Sequence, residues 1–293
     1  MKILITGAKG FIGQSLSKSL RGFDIIEAER DDWSSRLAGV NCVIHLAARV
    51  HIAERSQNSI ADYRLVNVAQ TLEFAKNCNL AGVKRFIFVS SIKVNGDFTK
   101  AGRKYTPDDS PNPQSPYGIS KWEAEKGLRK IAKFGNMELV IIRPPLVYGP
   151  GVKANFLSMM NYLQKGLPLP LGGIENKRSL VFIGNLIDLI IKLIDHPSAP
   201  GQIFLVSDDE DVSTSRLLID VGRALGKPAK LINFPQNLLN FFFKATGKNE
   251  LRDRLFGSLQ VDIKKTKTLL NWSPPFKYSD GVKKTVQAYL ADK

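Results

Sequence analysis

The sequence predicts an α/β chain with a doubly wound parallel sheet, helices on both faces of that sheet, and a smaller C-terminal lobe. Short apolar runs alternate with longer segments in which apolar residues recur every three or four positions, from residue 2 to about residue 206. This alternation is typical of parallel strands joined by crossover helices. A length of 293 residues leaves room for one large domain or two interlocked ones.

A glycine-rich turn follows the first strand pattern, Lys2–Thr6, and opens a helix. Its glycines are spaced as G-x-x-G-x-x-G, one residue longer between the first two than in the common dinucleotide fingerprint. Glycines allow a tight turn and a close approach of the backbone, and the N-terminus of the next helix attracts a pyrophosphate. We therefore expect this turn to bind a dinucleotide through Gly7, Lys9, Gly10, Phe11, Ile12 and Gly13.

The end of the second strand pattern, Asp24–Ala28, bears on the choice between NAD and NADP. Glu29 would accept hydrogen bonds from the adenosine ribose of NAD, whereas Arg30 would bind the extra phosphate of NADP. Lys9 adds a second positive charge from the glycine turn. The two cations favour NADP slightly over NAD.

The third strand pattern, Val43–Ala48, ends in Leu46-Ala47-Ala48, where small residues would let a cofactor pass close to the backbone. Only about a dozen residues separate this strand from Arg30, which leaves little room for an additional strand. A helix pattern over Tyr63–Asn77 and a strand pattern over Phe86–Val89 come next.

Candidate catalytic side chains follow the fourth strand pattern and open the next long helix, predicted over Ser115–Phe134. Ser91 ends the strand region, while Tyr117 and Lys121 lie four residues apart and so share one face of the helix. An ammonium beside a phenol would stabilise the phenolate and pull the pKa of Tyr117 down from about 10 towards neutrality. A hydroxyl at the strand end would bind the substrate oxygen that Tyr117 protonates. These three residues indicate general acid–base catalysis.

Composition and patterning disfavour several classes of protein. No run of about 18 apolar residues occurs and a strand pattern starts at Lys2, so we expect neither a transmembrane helix nor a secretory signal. Two cysteines, Cys42 and Cys78, indicate a reduced, cytoplasmic protein, and with three scattered histidines they predict no metal site. The net charge of +15 favours small anionic ligands, since the sequence contains no recognisable nucleic-acid-binding module.

Taken in order, these motifs resemble those of an extended short-chain dehydrogenase/reductase of the nucleotide-sugar branch. The resemblance rests on Thr6-Gly7-x-x-Gly10-x-x-Gly13, His45-Leu46-Ala47-Ala48, Asn67-Val68, Ser90-Ser91-Ile92-Lys93-Val94-Asn95-Gly96, Tyr117-x-x-x-Lys121 and Arg143-Pro144-Pro145-Leu146-Val147-Tyr148-Gly149-Pro150-Gly151. It implies a Rossmann-type NAD(P)-binding core over 1–150, completed by about 179–206. It also implies a sugar-nucleotide-binding lobe over about 151–178 and 207–293, and a homodimer built on the helices over Tyr63–Asn77 and Ser115–Phe134.

The resemblance also assigns roles to individual residues. It implies that Ser91 is the catalytic serine, that Tyr117 is the acid–base group, and that Lys121 is its partner. Tyr117 and Lys121 would contact the cofactor as well. The resemblance further implies that Pro144 contacts the nicotinamide. It implies that Asn155 and Arg178 contact the diphosphate of a UDP-sugar, and that Ser91 also contacts the sugar.

One departure from the family pattern disfavours one class of reaction. Family dehydratases carry Asp-Glu just after the serine position, and this chain has Ile92-Lys93 there, which disfavours dehydration. Asn95 replaces a tyrosine common in the family, and its role is left open.

Within the family the chain is most similar to the UDP-N-acetyl-quinovosamine dehydrogenases. That similarity implies NAD(P)H-dependent reduction of the C4 keto group of a UDP-2-acetamido-2,6-dideoxy-4-keto-hexose, in the synthesis of bacterial surface-polysaccharide precursors. The alternative is a UDP-hexose or UDP-HexNAc 4-epimerase that keeps its NAD bound. A more distant alternative is a non-catalytic NADP-sensing or RNA-binding relative, although we expect no nucleic-acid partner.

The C-terminal part of the sequence contains one unusually apolar stretch, over 238–243. Its three consecutive phenylalanines, Phe241-Phe242-Phe243, allow two interpretations. The favoured one is core beneath the sugar site, and the other is a peripheral contact with a membrane surface.

Overall fold

The computed structural model describes residues 1–30, 32–49, 59–247 and 249–292, and His51 lies outside these ranges. Its strands are β1 Lys2–Thr6, β2 Asp24–Ala28, β3 Cys42–His45, β4 Arg85–Val89, β5 Glu138–Arg143, β6 Leu146–Tyr148, β7 Leu169–Gly172, β8 Arg178–Phe182, β9 Ile203–Leu205, β10 Asp211–Val212 and β11 Leu231–Asn233. Its α-helices are α1 Phe11–Ser19, α2 Ser59–Tyr63, α3 Thr71–Leu80, α4 Pro116–Lys133, α5 Ala154–Gln164, α6 Ile183–Leu193, α7 Thr214–Ala224, α8 Gln236–Ala245, α9 Asn249–Phe256, α10 Lys264–Leu270 and α11 Tyr278–Ala291.

Six parallel strands form the central sheet in the order β2-β1-β3-β4-β5-β9. The chain winds outward in one direction from β1 to β2 and in the other from β3 onward. The carboxyl ends of β1 and β3 therefore open a crevice, which is where open α/β sheets bind their ligands. This topology confirms the predicted Rossmann-type doubly wound sheet, and β1 and β2 have the predicted bounds.

Helices cover both faces of the central sheet, so its inner strands are buried on both sides. Alternate residues of each strand point to opposite faces. One face carries Ile3, Ile5, Ile44, Ile87, Val140 and Ile142. The other carries Leu4, Val43, Phe86, Phe88, Leu139 and Ile141. Strands of this kind read as continuous apolar runs in the sequence, which is why their positions could be predicted.

The segment after β5 leaves the central sheet and then returns to it. β8 pairs in parallel with β6 and antiparallel with β10, forming a separate three-stranded sheet, and β7 pairs with β11. α6 packs against α1, and β9 then adds the sixth strand of the central sheet. Within the stretch 179–206, β9 and α6 thus lie with the core and β8 does not; the division into core and lobe stays a prediction.

The apolar run over 238–243 forms α8, and only part of it is buried. Leu239 and Phe243 are buried, whereas Leu238, Phe241 and Phe242 are exposed. The interpretation of the whole run as core is therefore wrong, because the apolar surface is wider than the face that α8 packs against its neighbour. No helix in the described ranges is long and apolar enough to cross a membrane.

Candidate active site

Ser91 and Tyr117 meet beyond the carboxyl end of β4. Ser91 begins a single 3-10 turn, Ile92–Val94, and its Oγ accepts a hydrogen bond from the backbone N–H of Lys93 at 3.2 Å. Tyr117 lies in the first turn of α4, where the Ser115 hydroxyl accepts a hydrogen bond from the N–H of Gly118 and caps the helix. The Tyr117 phenol is hydrogen-bonded to Ser91. The structure thus brings together two residues that lie 26 positions apart in the sequence.

Lys121 lies one turn after Tyr117 and is almost completely buried, at 1% exposure. Its Nζ stands over the Phe88 ring, 4.0 Å from the ring centroid. Burial lowers the pKa of Lys121 to about 7, and the nearby carboxylate of Glu125 opposes that shift. The charge on this side chain is therefore sensitive to small changes near neutral pH.

The pKa of Tyr117 moves in the direction opposite to the prediction. Burial raises it to about 12, the neighbouring Tyr63 raises it further, and the hydrogen bond with Ser91 lowers it. The prediction of a pKa near neutrality is wrong because the cost of burying a phenolate exceeds any attraction from Lys121. At neutral pH the phenol carries its proton, so the site as it stands contains a proton donor.

A buried polar network fixes the segment that carries Ser91. The Arg143 guanidinium donates to both carboxylate oxygens of Glu125, at 2.6 and 3.0 Å, and the Ser90 hydroxyl donates to one of them at 2.5 Å. Arg143 Nη1 donates to the side-chain oxygen Oδ1 of Asn95 at 2.9 Å, and the side-chain Nδ2 of Asn95 donates to the backbone carbonyl of Thr106 at 3.0 Å. Asn95, whose role the sequence left open, therefore anchors the turn after Ser91 to the end of β5.

The glycine-rich turn has the shape that a dinucleotide requires. Gly7 has a positive φ of 71°, and a Cβ at this position would lie 2.8 Å from the backbone nitrogen of Ala47. A Cβ at Gly13 would meet the carbonyl of Gly7, so that glycine lets α1 approach the turn. No side chain caps α1, whose first-turn N–H groups have no intrahelical partner. Such N–H groups at a crevice fit a pyrophosphate.

The loop after β3 borders the same crevice and is tied to the helix that bears Tyr117. The half-buried Leu46-Ala47-Ala48 continues from β3, and the N–H of Ala47 donates to the Thr6 hydroxyl at 3.3 Å. Buried Asn67 accepts from the N–H of Arg49 at 2.8 Å and donates to the Ser120 hydroxyl of α4 at 3.0 Å. Asn67 therefore sets the distance between this loop and α4.

His45 belongs to the core and not to the site. It is fully buried and hydrogen-bonded at both ring nitrogens, to Thr6 at 2.8 Å and to Thr71 at 3.0 Å. Burial lowers its pKa to about 3, so the imidazole stays neutral.

At the end of β2, the Lys9 ammonium forms an ion pair with Glu29, and both side chains are exposed. The cation from the glycine turn is therefore matched by a carboxylate. Arg30 is exposed beside them.

The residues expected at the substrate end lie on α5 and β8, elements other than those that carry Ser91, Tyr117 and Lys121. Asn155 is exposed in the first turn of α5. Arg178 is half-buried at the start of β8, and its Nη1 donates to the carbonyls of Arg254 and Gly257 at 3.1 and 3.0 Å. Burial lowers the pKa of Arg178, and the second guanidinium, Arg254, adds to that effect. Arg254 was missed because nothing in the sequence links two arginines 76 residues apart.

Pro144 lies next to the turn that follows Ser91. It is buried directly after β5, and its carbonyl accepts a hydrogen bond from the N–H of Ile92 at 3.0 Å. The end of β5 therefore lies beside the turn that follows Ser91, and the contact of Pro144 with a nicotinamide stays a prediction.

Comparison with known proteins supports this description of the crevice. Residues 3–207 match the model of the NAD dependent epimerase/dehydratase family. The chain belongs to this family. It is an NAD(P)-dependent enzyme of the extended short-chain dehydrogenase/reductase type, within the nucleotide-sugar branch.

Three relatives illustrate the range of the epimerase/dehydratase family. The chain is 45% identical to a UDP-glucose 4-epimerase of Vibrio cholerae over 98% of this chain and 95% of the relative. A UDP-glucuronic acid 4-epimerase from Bacillus cereus, in complex with NAD, has a TM-score of 0.79 at 23% identity, with 99% of each chain covered. RMD from Pseudomonas aeruginosa, complexed with NADPH, has a TM-score of 0.81 at 17% identity, with 99% of each chain covered. The last two show the shared fold.

Proposed function

We propose that the protein is a UDP-hexose or UDP-HexNAc 4-epimerase that works with a tightly bound NAD. The observation that carries the proposal is the hydrogen-bonded pair of Ser91 and Tyr117 beside the buried Lys121. This arrangement offers one proton-transfer group and one hydroxyl for a single substrate oxygen. In the segment where family dehydratases have acids, Lys93 pairs instead with Asp97 at 2.6 Å. The site therefore supports redox chemistry at one carbon without elimination.

The proposed roles follow from the positions of these side chains. A bound nicotinamide would supply reversible hydride chemistry at C4 of the sugar. As the phenolate, Tyr117 Oη would accept the proton of the 4-hydroxyl and later return it to the same oxygen. Ser91 Oγ hydrogen-bonds the same substrate oxygen, and Arg178 with Arg254 would meet the diphosphate. The high identity to the Vibrio cholerae UDP-glucose 4-epimerase supports this choice of reaction.

A second candidate is reduction of a UDP-4-keto-6-deoxy-HexNAc, the reaction that the sequence favoured first. One observation supports it: the raised pKa of Tyr117 keeps the phenol protonated at neutral pH. A protonated phenol is ready to donate to a ketone oxygen during reduction, whereas epimerisation first needs the phenolate. The two reactions therefore differ in which protonation state begins the cycle.

Product analysis without added reductant separates the two reactions. We expect the purified protein to interconvert UDP-glucose with UDP-galactose, or the corresponding UDP-HexNAc pair, with no net consumption of cofactor. In parallel, UDP-4-keto-6-deoxy-HexNAc is offered with NADH or NADPH, and both absorbance and C4 stereochemistry are followed. Stoichiometric oxidation of the reductant to a single C4 epimer, with no interconversion of the UDP-hexoses, would transfer the assignment to the reductase.

We propose NAD as the cofactor of the epimerase, which revises the slight preference for NADP inferred from the sequence. Lys9 forms an ion pair with Glu29, so its charge is already balanced by a carboxylate. Of the two cations that favoured NADP, this leaves Arg30 to bind the extra phosphate. We expect calorimetric titration to give tighter binding of NADH than of NADPH, by about tenfold or more, and Glu29→Gln to reduce that difference. Tighter binding of NADPH by the unmodified protein would restore the original preference.

Other properties stay predictions. A UDP-sugar substrate and a cytoplasmic location are consistent with the proposed reaction. The expected homodimer surface was predicted on helices over Tyr63–Asn77 and Ser115–Phe134. The first range comprises a π-helical stretch, Arg64–Gln70, and most of α3, and the second corresponds to α4. α3 and α4 pack against each other on one side of the sheet. Leu65, in the π-helical stretch that precedes α3, and Phe134, which directly follows α4, are exposed apolar residues that a partner would cover.

A further inference from the structure

The outward face of α8 presents three large apolar side chains to solvent. Leu238 is 56% exposed, Phe241 72% and Phe242 57%. They are spaced i, i+3 and i+4, so they form one face of the helix, called here the α8 face. The opposite face carries buried Phe243, whose ring lies 6.2 Å from that of Phe256 on α9. One side of α8 thus packs against α9, and the apolar residues on its other side have no part in that packing.

The apolar surface continues around α8. Ile232 and Phe234, just before the helix, are exposed, as is Leu251 on α9. The stretch 231–243 contains no charged residue. Single exposed apolar residues are ordinary on a protein surface, but a cluster of this kind indicates an interaction site.

Positive charge borders this uncharged stretch. Between residues 226 and 258 the sequence has six lysines and arginines and two acids. Lys227, Lys230 and Lys244 are exposed, and one of the two acids, Asp253, is paired with Arg252 at 2.6 Å. A basic border around an apolar centre is complementary to a surface that is apolar inside and anionic outside.

We propose that the α8 face docks on the surface of an anionic phospholipid bilayer. Phe241, Phe242 and Leu238 enter the boundary between headgroups and acyl chains, and the bordering lysines lie among the anionic headgroups. These three apolar side chains stand on one face of a single helix, and such a face can lie flat on a bilayer surface. α8 is ten residues long, about 15 Å, and therefore lies along the surface instead of crossing it.

The docking surface is connected through α9 to the part of the chain that carries Arg178. The backbone carbonyls that end α9, those of Leu255 and Gly257, accept hydrogen bonds from the Asn176 amide at 3.1 and 3.0 Å. The Thr214 hydroxyl also donates to Leu255 at 2.7 Å. Docking of α8 would therefore hold the substrate lobe at the membrane while the reaction proceeds. This inference does not depend on which reaction the site performs.

Vesicle flotation tests the proposal with the full-length protein. We expect binding to vesicles of phosphatidylcholine with 30% phosphatidylglycerol, in about 100 mM salt, and weaker binding to phosphatidylcholine alone because the basic border loses its partner. Phe241→Ser combined with Phe242→Ser should lower the partition coefficient at least tenfold. The matched control is Leu80→Ser with Leu290→Ser, which removes two exposed apolar residues elsewhere and should bind as the unmodified protein does. Circular dichroism confirms that each variant is folded.

A second measurement keeps the apolar face intact. In the Phe241→Trp variant, the fluorescence emission of the introduced tryptophan should shift to shorter wavelength when the anionic vesicles are added. Brominated acyl chains in the vesicles should quench that emission. The proposal is overturned if the unmodified protein stays unbound, if the control variant loses binding equally, or if the double serine variant binds as well as the unmodified protein. It is also overturned if light scattering shows that the double serine variant converts a dimer into a monomer, since a second copy would then cover the α8 face.

Discussion

Tyr117→Phe lowers turnover by about 10²- to 10⁴-fold and leaves cofactor affinity within about threefold of the unmodified protein. The substitution removes only the phenolic oxygen, so the group that exchanges a proton with the substrate oxygen is lost while the ring keeps its position. The hydrogen bond to Ser91 is lost with it. Steady-state kinetics give kcat and KM, and calorimetric titration gives the affinity for the reduced cofactor. The fall should appear in kcat and in kcat/KM alike, since the missing contact acts in the transition state.

Tyr63→Phe is the matched control for this result. The Tyr63 ring lies 6.1 Å from that of Tyr117, so the control removes a second phenolic hydroxyl from the same neighbourhood. We expect its turnover to stay within about tenfold of the unmodified protein, since Tyr63 is not the group placed against Ser91. Near-normal turnover of Tyr117→Phe, or an equal loss in the control, would show that the acid–base assignment is wrong.

The inner strands of the sheet could be predicted because strands that are buried on both faces appear in the sequence as continuous apolar runs. Lys2–Thr6 has the predicted bounds for that reason. Asp24–Ala28, an edge strand in which only Ala28 is buried, also has the predicted bounds. β8 has the apolar character of the inner strands but pairs with β6 and β10 in the smaller sheet. The composition of β8 does not reveal which strands it pairs with, because strand pairing depends on the tertiary path of the chain. The positions of strands could therefore be predicted from composition, whereas their pairing partners could not.

The site was predictable in its residue types and less so in its energetics. The spacing of Tyr117 and Lys121 on one helix face could be read from the sequence, and Glu125, one further turn along, could have been read in the same way. Its pairing with Arg143 depends on α4 packing beside the end of β5, which is a tertiary property. The direction of the Tyr117 pKa depends on burial, which spacing does not reveal. The prediction that the apolar run in α8 is core was wrong for a related reason. An apolar run in the sequence does not reveal how much of its surface a neighbouring element covers.

Lys121→Met should make the protein more stable at neutral pH and nearly inactive. Burial holds the pKa of Lys121 at about 7 in the folded state, against an ordinary value of 10.5. The unfolded chain therefore binds this proton more tightly, and folding carries a penalty of roughly 5 kcal/mol at most below about pH 7. Methionine keeps the length of the side chain and loses an ammonium contact with Phe88 that contributes about 2 kcal/mol or less. A net gain of about 1–3 kcal/mol follows from these two magnitudes.

The sign of the pH dependence makes this prediction specific. The penalty is fully present below the folded pKa and disappears as the pH rises towards the unfolded pKa, so the advantage of Lys121→Met should shrink steadily between pH 7 and pH 10.5. Denaturant unfolding of the cofactor-free protein at pH 7, 8.5 and 10 measures it. Lys126→Met is the control, since Lys126 lies on the same helix, exposed, with its Nζ 5.7 Å from the Trp122 ring. The control should change neither stability by more than about 0.5 kcal/mol nor turnover. A Lys121→Met variant that is less stable at pH 7, or whose advantage is the same at all three pH values, would mean that the buried ammonium imposes no such cost.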